Sequence, residues 1–222
     1  MYSMNIFGLQ LDEEFDLYLE SYTIPSPEVQ TDYKKIPGMN GSIDRTEKYG
    51  TVFFKDREWD NIVLKSTSWT TDEDSKVELE RELLNAVHGK SGRIIFDDDA
   101  EHYWQGRVFV QDVYVEGNAM LIVDLSLVTE PFKYGINGKT FTLNLSGSEQ
   151  SVTLTNGRKV IVPKVIVTDN ASLAYTVQGV EHTRELTAGT WRLTDLLLYE
   201  GSTIVTATGS GTLTIQYEDA QL

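Results

Sequence analysis

The stretch Leu121-Ile122-Val123-Asp124-Leu125-Ser126-Leu127 decides the fold class, because leucine or valine stands at every second position. This period-two alternation is typical of a β-strand that buries one face. On the N-terminal side, Phe15, Leu17 and Leu19 alternate in the same way. Further β-rich runs lie at residues 51–54, 61–65, 92–96 and 103–115. The sequence therefore predicts a mainly β protein.

One segment has a helical period instead. Apolar residues recur at i, i+4, i+7 and i+8 from Leu79 onward, which predicts an amphipathic helix over about residues 76–88. An S-x-x-E capping box begins at Ser75, and Gly89 follows as a stop signal,. The sequence therefore predicts a single helix within a protein of strands.

After Gly135 the sequence is β throughout, with strands at roughly 8–12-residue spacing separated by Gly, Asn or Asp,. Two of these strands cover residues 202–207 and 212–217. The dipeptide Asn156-Gly157 predicts a type I′ hairpin between two further strands. This pattern favours a β-sandwich for the second half.

The charge distribution changes at the same point. Residues 1–135 contain 13 basic and 26 acidic residues, whereas residues 136–222 contain 6 basic and 8 acidic ones. The sequence therefore predicts two domains with these boundaries. The net charge of −15 argues against proteins that hold nucleic acid by neutralising its phosphates, so we expect no specific nucleic-acid binding,.

The composition excludes several other classes. The chain contains no cysteine, which excludes disulfides, thiolate nucleophiles and cysteine-ligated metal centres. Its apolar runs are too short to span a bilayer, so we expect no membrane insertion. The N-terminus has neither a basic n-region nor an apolar h-region, so we expect no secretory signal and synthesis in a cytoplasm.

No motif indicates catalysis. Gly89-Lys90-Ser91 and Gly138-Lys139-Thr140 lack the upstream glycine and the following helix of a phosphate-binding loop,. Asp97-Asp98-Asp99 precedes His102, but the spacing does not match a calcium loop. The histidines lie outside any HExxH pattern, and no GxSxG is present,. We therefore predict no catalytic residue, no cofactor and no metal site, and a protein that is not an enzyme.

Aromatic residues of the second half leave one alternative open. An exposed aromatic ring can stack on a sugar ring. Trp191, Tyr199 and Tyr175 are the candidates for such a platform. The alternative function is thus a β-sandwich module that recognises a cell-surface glycan.

Five short motifs follow one another in the first 135 residues. They are Ile36-Pro37-Gly38-Met39-Asn40-Gly41-Ser42-Ile43-Asp44, Phe53-Phe54-Lys55-Asp56-Arg57, Val87-His88-Gly89-Lys90, Asp97-Asp98-Asp99 with Tyr103-Trp104-Gln105-Gly106-Arg107-Val108, and Glu130-Pro131-Phe132-Lys133-Tyr134. In order and spacing they resemble the siphophage distal tail proteins, the Dit family of baseplate hub subunits.

The resemblance implies an architecture and a role. It implies an N-terminal tail-tube-like β-sandwich with one helix and a C-terminal galectin-like β-sandwich. It also implies a homo-hexameric ring at the tail tip of the virion, with DNA passing through the lumen. Its partners would be the tail-tube protein and the tail-tip and tail-fibre proteins. The Pro- and Gly-containing excursion of residues 22–50 can reach a neighbouring subunit.

The resemblance also points to particular positions. Those expected at ring contacts or motif turns are Ile36, Pro37, Gly38, Gly41, Asp44, Arg57, His88, Gly89, Lys90, Gly106, Arg107, Pro131 and Tyr134. An equal alternative for these residues is turn and ion-pair formation within one domain.

Overall fold

Strands make up most of the structure, which confirms the mainly β prediction. The computed structural model describes residues 1–48, 51–69, 73–117 and 120–222. The chain divides into two compact units, Met1–Lys133 and Tyr134–Leu222. Each unit has its own cluster of buried apolar side chains. No helix in the described residues is long and apolar enough to cross a bilayer.

The first unit is built on one large sheet with strand order β2-β1-β9-β10-β11-β8-β3. Its elements are β1 (Met4–Ile6), β2 (Leu9–Gln10), α1 (Leu11–Phe15), β3 (Leu17–Ser21), β4 (Tyr33–Lys35), β5 (Ser42–Asp44), β6 (Glu47–Lys48), β7 (Thr51–Val52), β8 (Arg57–Trp69), α2 (Glu73–Ala86), β9 (Ser91–Phe96), β10 (His102–Glu116) and β11 (Met120–Gly135). The alternating leucines of β11 are buried, as predicted.

The helix α2 begins and ends earlier than the sequence predicts. Ser75 lies inside the first turn, so the predicted capping box does not cap the helix. Asp74 then lies in the first turn, where a carboxylate interacts favourably with the helix dipole. The predicted apolar face is correct, because Leu79, Leu83 and Val87 are buried in the core of the unit.

The predicted strand at residues 15–20 begins two residues late. Phe15 ends the short helix α1, and Asp16 follows in a left-handed conformation with φ of 54°. Its carboxylate accepts hydrogen bonds from the backbone N–H groups of Thr67 (3.2 Å) and Ser68 (2.8 Å). These bonds fix the turn, so β3 starts at Leu17.

The second unit is a β-sandwich whose two sheets share one strand. Its elements are β12 (Lys139–Ser146), β13 (Gln150–Asn156), β14 (Lys164–Val167), β15 (Ala171–Val177), β16 (Val180–Leu186), β17 (Gly189–Arg192), β18 (Gly201–Tyr217) and β19 (Ala220–Gln221). The first half of β18 pairs with β13 and β15, and the second half pairs with β12 and β14. Buried side chains from both sheets form one core.

Two separate strands predicted for this unit form a single continuous strand in the structure. The runs at residues 202–207 and 212–217 belong to the continuous strand β18. Gly209 (φ of 140°) and Gly211 (φ of 78°) supply backbone conformations that other residues rarely adopt,. They let the strand bend from one sheet into the other, where the sequence pattern suggested a loop.

The predicted hairpin at Asn156-Gly157 is wrong. Asn156 ends β13 opposite Gly201 of β18, and its side-chain amide donates to the carbonyls of Lys159 (2.6 Å) and Leu198 (2.7 Å). A Cβ on Gly157 would lie 2.1 Å from the carbonyl oxygen of Ala220. The glycine is therefore needed for close backbone approach, not for a turn.

Candidate interaction surfaces

The excursion predicted at residues 22–50 forms an exposed arm. We define the arm as residues 23–56, of which residues 49 and 50 lie outside the described part of the chain. Near its base the backbone N–H of Gln30 donates to Phe53 O, and that of Lys55 donates to Glu28 O, both at 2.8 Å. Farther out, β4 and β5 form an antiparallel hairpin. The arm is therefore an ordered two-stranded structure.

A tight turn closes the tip of this hairpin. The N–H of Met39 donates to the carbonyl of Ile36 (3.1 Å). Pro37 and Gly38 occupy the two central positions, and Gly38 has φ of 84°. This arrangement matches a type II turn, in which proline presets the first central residue and glycine permits positive φ at the second. Gly41, with φ of 87°, also adopts a backbone conformation that favours glycine, just before β5 begins.

The arm exposes apolar side chains on both faces. Every residue of β4 and β5 is exposed, and Tyr33, Met39 and Ile43 keep 60%, 53% and 40% of their surface open to solvent. Ile36 is also exposed. Asp44 binds its own strand end, where hydrogen bonds from the Thr46 side chain and from the Thr46 backbone N–H (2.9 Å) lower the pKa of the Asp44 carboxyl. Exposed apolar side chains that lie close together are a common feature of protein contact sites.

Arg57 and Tyr22 hold the base of the arm. Arg57 is 4% exposed, and its guanidinium donates to the carbonyls of Pro131 (2.8 Å) and Pro25 (2.5 Å). It also lies 4.8 Å from the ring centre of Trp104,. The ring of Tyr22 stacks on the Phe96 ring with centres 4.5 Å apart. The segment that enters the arm and the segment that leaves it are thus both bound to the core of the unit, so the base of the arm has a fixed position.

The motif residues His88, Gly89, Lys90 and Arg107 come together where α2 meets β10. Gly89, at φ of 71°, follows the helix, and its carbonyl accepts the Arg107 guanidinium. The Lys90 ammonium donates to the carbonyl of Asn85 (2.7 Å). Cations at a helix C-terminus satisfy its free carbonyls and oppose its dipole. Lys90 and Arg107 therefore cap the helix end within the unit, and the His88 ring accepts the backbone N–H of Val110 on β10 (3.1 Å).

The acidic turn at Asp97–Asp99 is also occupied by donors of the same unit. Asp97 accepts the N–H of Ser3 (2.8 Å). Asp99 binds the Lys133 ammonium (2.7 Å) and the His102 ring (2.6 Å), and both bonds lower the pKa of the Asp99 carboxyl against the opposing effect of burial. Among the described residues, no group of three or more acidic or histidine side chains is arranged to hold a metal.

Asp124, on the strand that decides the fold, is held in an unfavourable environment. Burial raises the pKa of its carboxyl, and the Asp112 carboxylate raises that pKa further. Its buried Oδ1 atom has no hydrogen-bond partner in the described structure. Because the folded-state pKa lies above the unfolded-state value, the charged form destabilises the fold at neutral pH and the penalty disappears as the group is protonated.

We therefore expect Asp124→Asn to stabilise the protein at neutral pH by about 0.5 kcal/mol, a small gain because the side chain is only partly buried and solvent screens its charge,. The gain should shrink as the pH falls through the raised pKa and vanish below the ordinary aspartate range, where both proteins are neutral at this site. Urea unfolding across this pH range measures it. A difference that does not vary with pH would contradict the assignment.

The aromatic candidates of the second unit do not form a platform. Tyr175 is 4% exposed, so its prediction as a stacking residue is wrong: the ring packs in the core and stacks on His182 at 5.4 Å. Burial and the Asp195 carboxylate raise the pKa of Tyr175 to about 12. Tyr199 is half-buried against the same core. Trp191, at 37% exposed, is the remaining candidate ring.

Tyr134 is buried as well, and its hydroxyl contacts the Lys159 ammonium. Among the predicted motif positions, those at the tip of the arm are exposed. Arg57, Tyr134 and the residues where α2 meets β10 instead make contacts inside one unit. Sequence reasoning missed the contact of Tyr22 at the base of the arm and the unfavourable environment of the Asp124 carboxyl. The position of Tyr22 at the start of the excursion is the signal that could have identified it.

Comparison with known proteins bears on this architecture. No protein-family model matches the sequence, and no curated protein matches it. Among solved structures, the Dit protein (gp19.1) of phage SPP1 matches over 100% of both chains with a TM-score of 0.68 and 13% sequence identity. The chain has a Dit-like fold. This confirms the fold predicted from the motifs. The SPP1 protein is described as a paradigm of the hub adsorption apparatus in phages that infect Gram-positive bacteria.

Proposed function

We propose that this protein is a structural subunit of a phage tail. It forms a homo-hexameric ring at the distal tail tip and connects the tail tube to tail-tip and tail-fibre proteins. The observation that carries the proposal is the match to a hub protein along the full length of both chains. The match extends over both compact units of this chain, which supports the same assembly plan for the whole protein.

The arm supports a ring in particular. It is fixed at its base by Arg57 and Tyr22 and exposes apolar side chains at its tip. The exposed apolar side chains of the arm become buried when the arm packs against a second copy of the protein. A head-to-tail contact repeated around an axis buries every arm once and leaves none exposed, provided that the ring closes.

We assign the ring contacts to the N-terminal domain, residues 1–135, because it carries the arm; the C-terminal domain comprises residues 136–222. The net negative charge of the N-terminal domain suits a lumen that DNA crosses, because electrostatic repulsion disfavours binding of the DNA phosphates to the lumen wall,. No chemical reaction is part of this function. A glycan-binding role for the C-terminal domain would depend on the single exposed ring of Trp191.

Molecular mass in solution tests the ring. Native mass spectrometry over a range of protein concentration should show a species of about 150 kDa, six times the 25.0 kDa of one chain,. Imaging of that species should show six-fold symmetry. A monomer at every concentration, both alone and after co-expression with a tail-tube protein, would contradict the ring.

A further inference from the structure

Four of the six basic residues of the second unit line one groove. They are Lys139, Lys159, Lys164 and Arg192. The groove has a cavity volume of about 700 Å³, and Glu218 is the one carboxylate in its described lining. In a protein with a net charge of −15, this concentration of positive charge favours an anionic ligand. We call this feature the basic groove.

The strand register shows an unusual pair at its centre. Lys164 on β14 lies directly opposite Arg192 on β17, and on its other side Lys164 lies opposite Gln216 of β18. Like charges directly opposite each other destabilise a sheet. Within the described chain, neither cation has an ion pair or a hydrogen bond through its side chain. The fold therefore keeps Lys164 and Arg192 opposite each other, and no carboxylate of the described chain neutralises either charge.

The other two cations of the basic groove have partners inside the unit. The Lys139 ammonium binds the Asp219 carboxylate (2.8 Å) and the carbonyl of Thr155 (2.9 Å). Lys159 contacts the Tyr134 hydroxyl. Lys164 and Arg192 are consequently the charges that remain for an external anion.

We propose that the basic groove binds an extended acidic segment of a partner protein. The guanidinium of Arg192 offers a planar fork that fits a carboxylate, and Lys164 neutralises the same or the next acidic group. Arg192 also lies on an edge strand, because β17 pairs only with β14 among the described strands. An extended segment that reaches Arg192 can add to this edge through backbone hydrogen bonds.

The lining favours a peptide over a sugar. Tyr134 and Tyr217, the two aromatic residues of the groove, are only 7% and 6% exposed, so the groove presents no ring face for a sugar to stack on. The inference goes beyond the ring, since it concerns the second unit alone and does not depend on how many copies assemble.

Fluorescence anisotropy with a labelled glutamate decamer tests the proposal on the full chain. The decamer should bind, and added salt should weaken the binding. Lys164→Gln/Arg192→Gln should weaken it by about tenfold or more, because two charge-assisted contacts are lost. Lys76→Gln/Arg81→Gln, which removes the same charge from the helix α2, should bind like the parent. A glutamine decamer and polygalacturonate serve as neutral and uronate-polymer probes.

The double variant should fold at least as well as the parent, since it removes a like-charge pair; its thermal midpoint checks this. Equal binding of the glutamate decamer by parent and double variant would overturn the proposal. Absence of decamer binding at low salt would also overturn it. Binding of polygalacturonate without binding of the decamer would assign the groove to an anionic glycan instead. Each of these outcomes is independent of the mass that tests the ring.

Discussion

Gly106→Ala is expected to destabilise the first unit by about 3 kcal/mol, the upper range for overpacking in a core. Gly106 lies on β10 against β11. A Cβ at this position would be 2.6 Å from the carbonyl oxygen of Val128, 2.6 Å from Thr129 Cγ2 and 2.8 Å from Thr129 Cα. Two of these atoms belong to the backbone, so no side-chain rotation relieves the clash. Separating the strands would cost ladder hydrogen bonds and core packing.

Gly135→Ala is the matched control. Gly135 also lies on a strand, β11, but a Cβ there would meet only the carbonyl of Asn137, at an ordinary contact distance of 3.6 Å. Its substitution should leave stability nearly unchanged. Urea unfolding followed by tryptophan fluorescence measures both variants, since Trp59 and Trp104 are buried in the first unit. If both variants unfolded with the same midpoint, the close approach of β10 and β11 at Gly106 would be contradicted.

The Gly106 contacts show why part of the architecture could be predicted and part could not. Burial follows a local period, so the alternation around Leu125 and the helical period around Leu83 identified buried faces correctly,. The need for glycine at Gly106 depends instead on how closely another strand approaches. That distance comes from the pairing of distant segments and has no local sequence signature.

The same limit explains the errors in the second unit. Asn156-Gly157 has the composition of a hairpin, but both residues serve contacts with segments more than forty positions later. Tyr175 has the chemistry of a sugar platform, yet its position on β15 places it in the core. The repulsion between Lys164 and Arg192 becomes visible only through the strand register. In each case a non-local pairing decides the role of the residue.

Met39→Glu/Ile43→Glu is expected to abolish the ring while leaving the monomer folded. Both side chains are exposed on the arm, so the substitutions remove little packing within the chain and should change the stability of the monomer by only about 0.5 kcal/mol. In the ring the same positions would be buried against a neighbour. Two charges placed there would have to be desolvated without partners, which is strongly unfavourable. Sedimentation velocity of the double variant should show only the 25.0 kDa chain.

Val180→Glu/Ile204→Glu provides the matched control, because these residues are 56% and 60% exposed on the second unit. It adds the same charge and removes a similar amount of exposed apolar surface, so a ring that depends on the arm should survive it. Loss of the ring in both double variants would mean that added negative charge alone prevents assembly. A ring that persists in Met39→Glu/Ile43→Glu would show that the arm is not the contact between subunits, and the apolar tip would then be assigned to another tail protein.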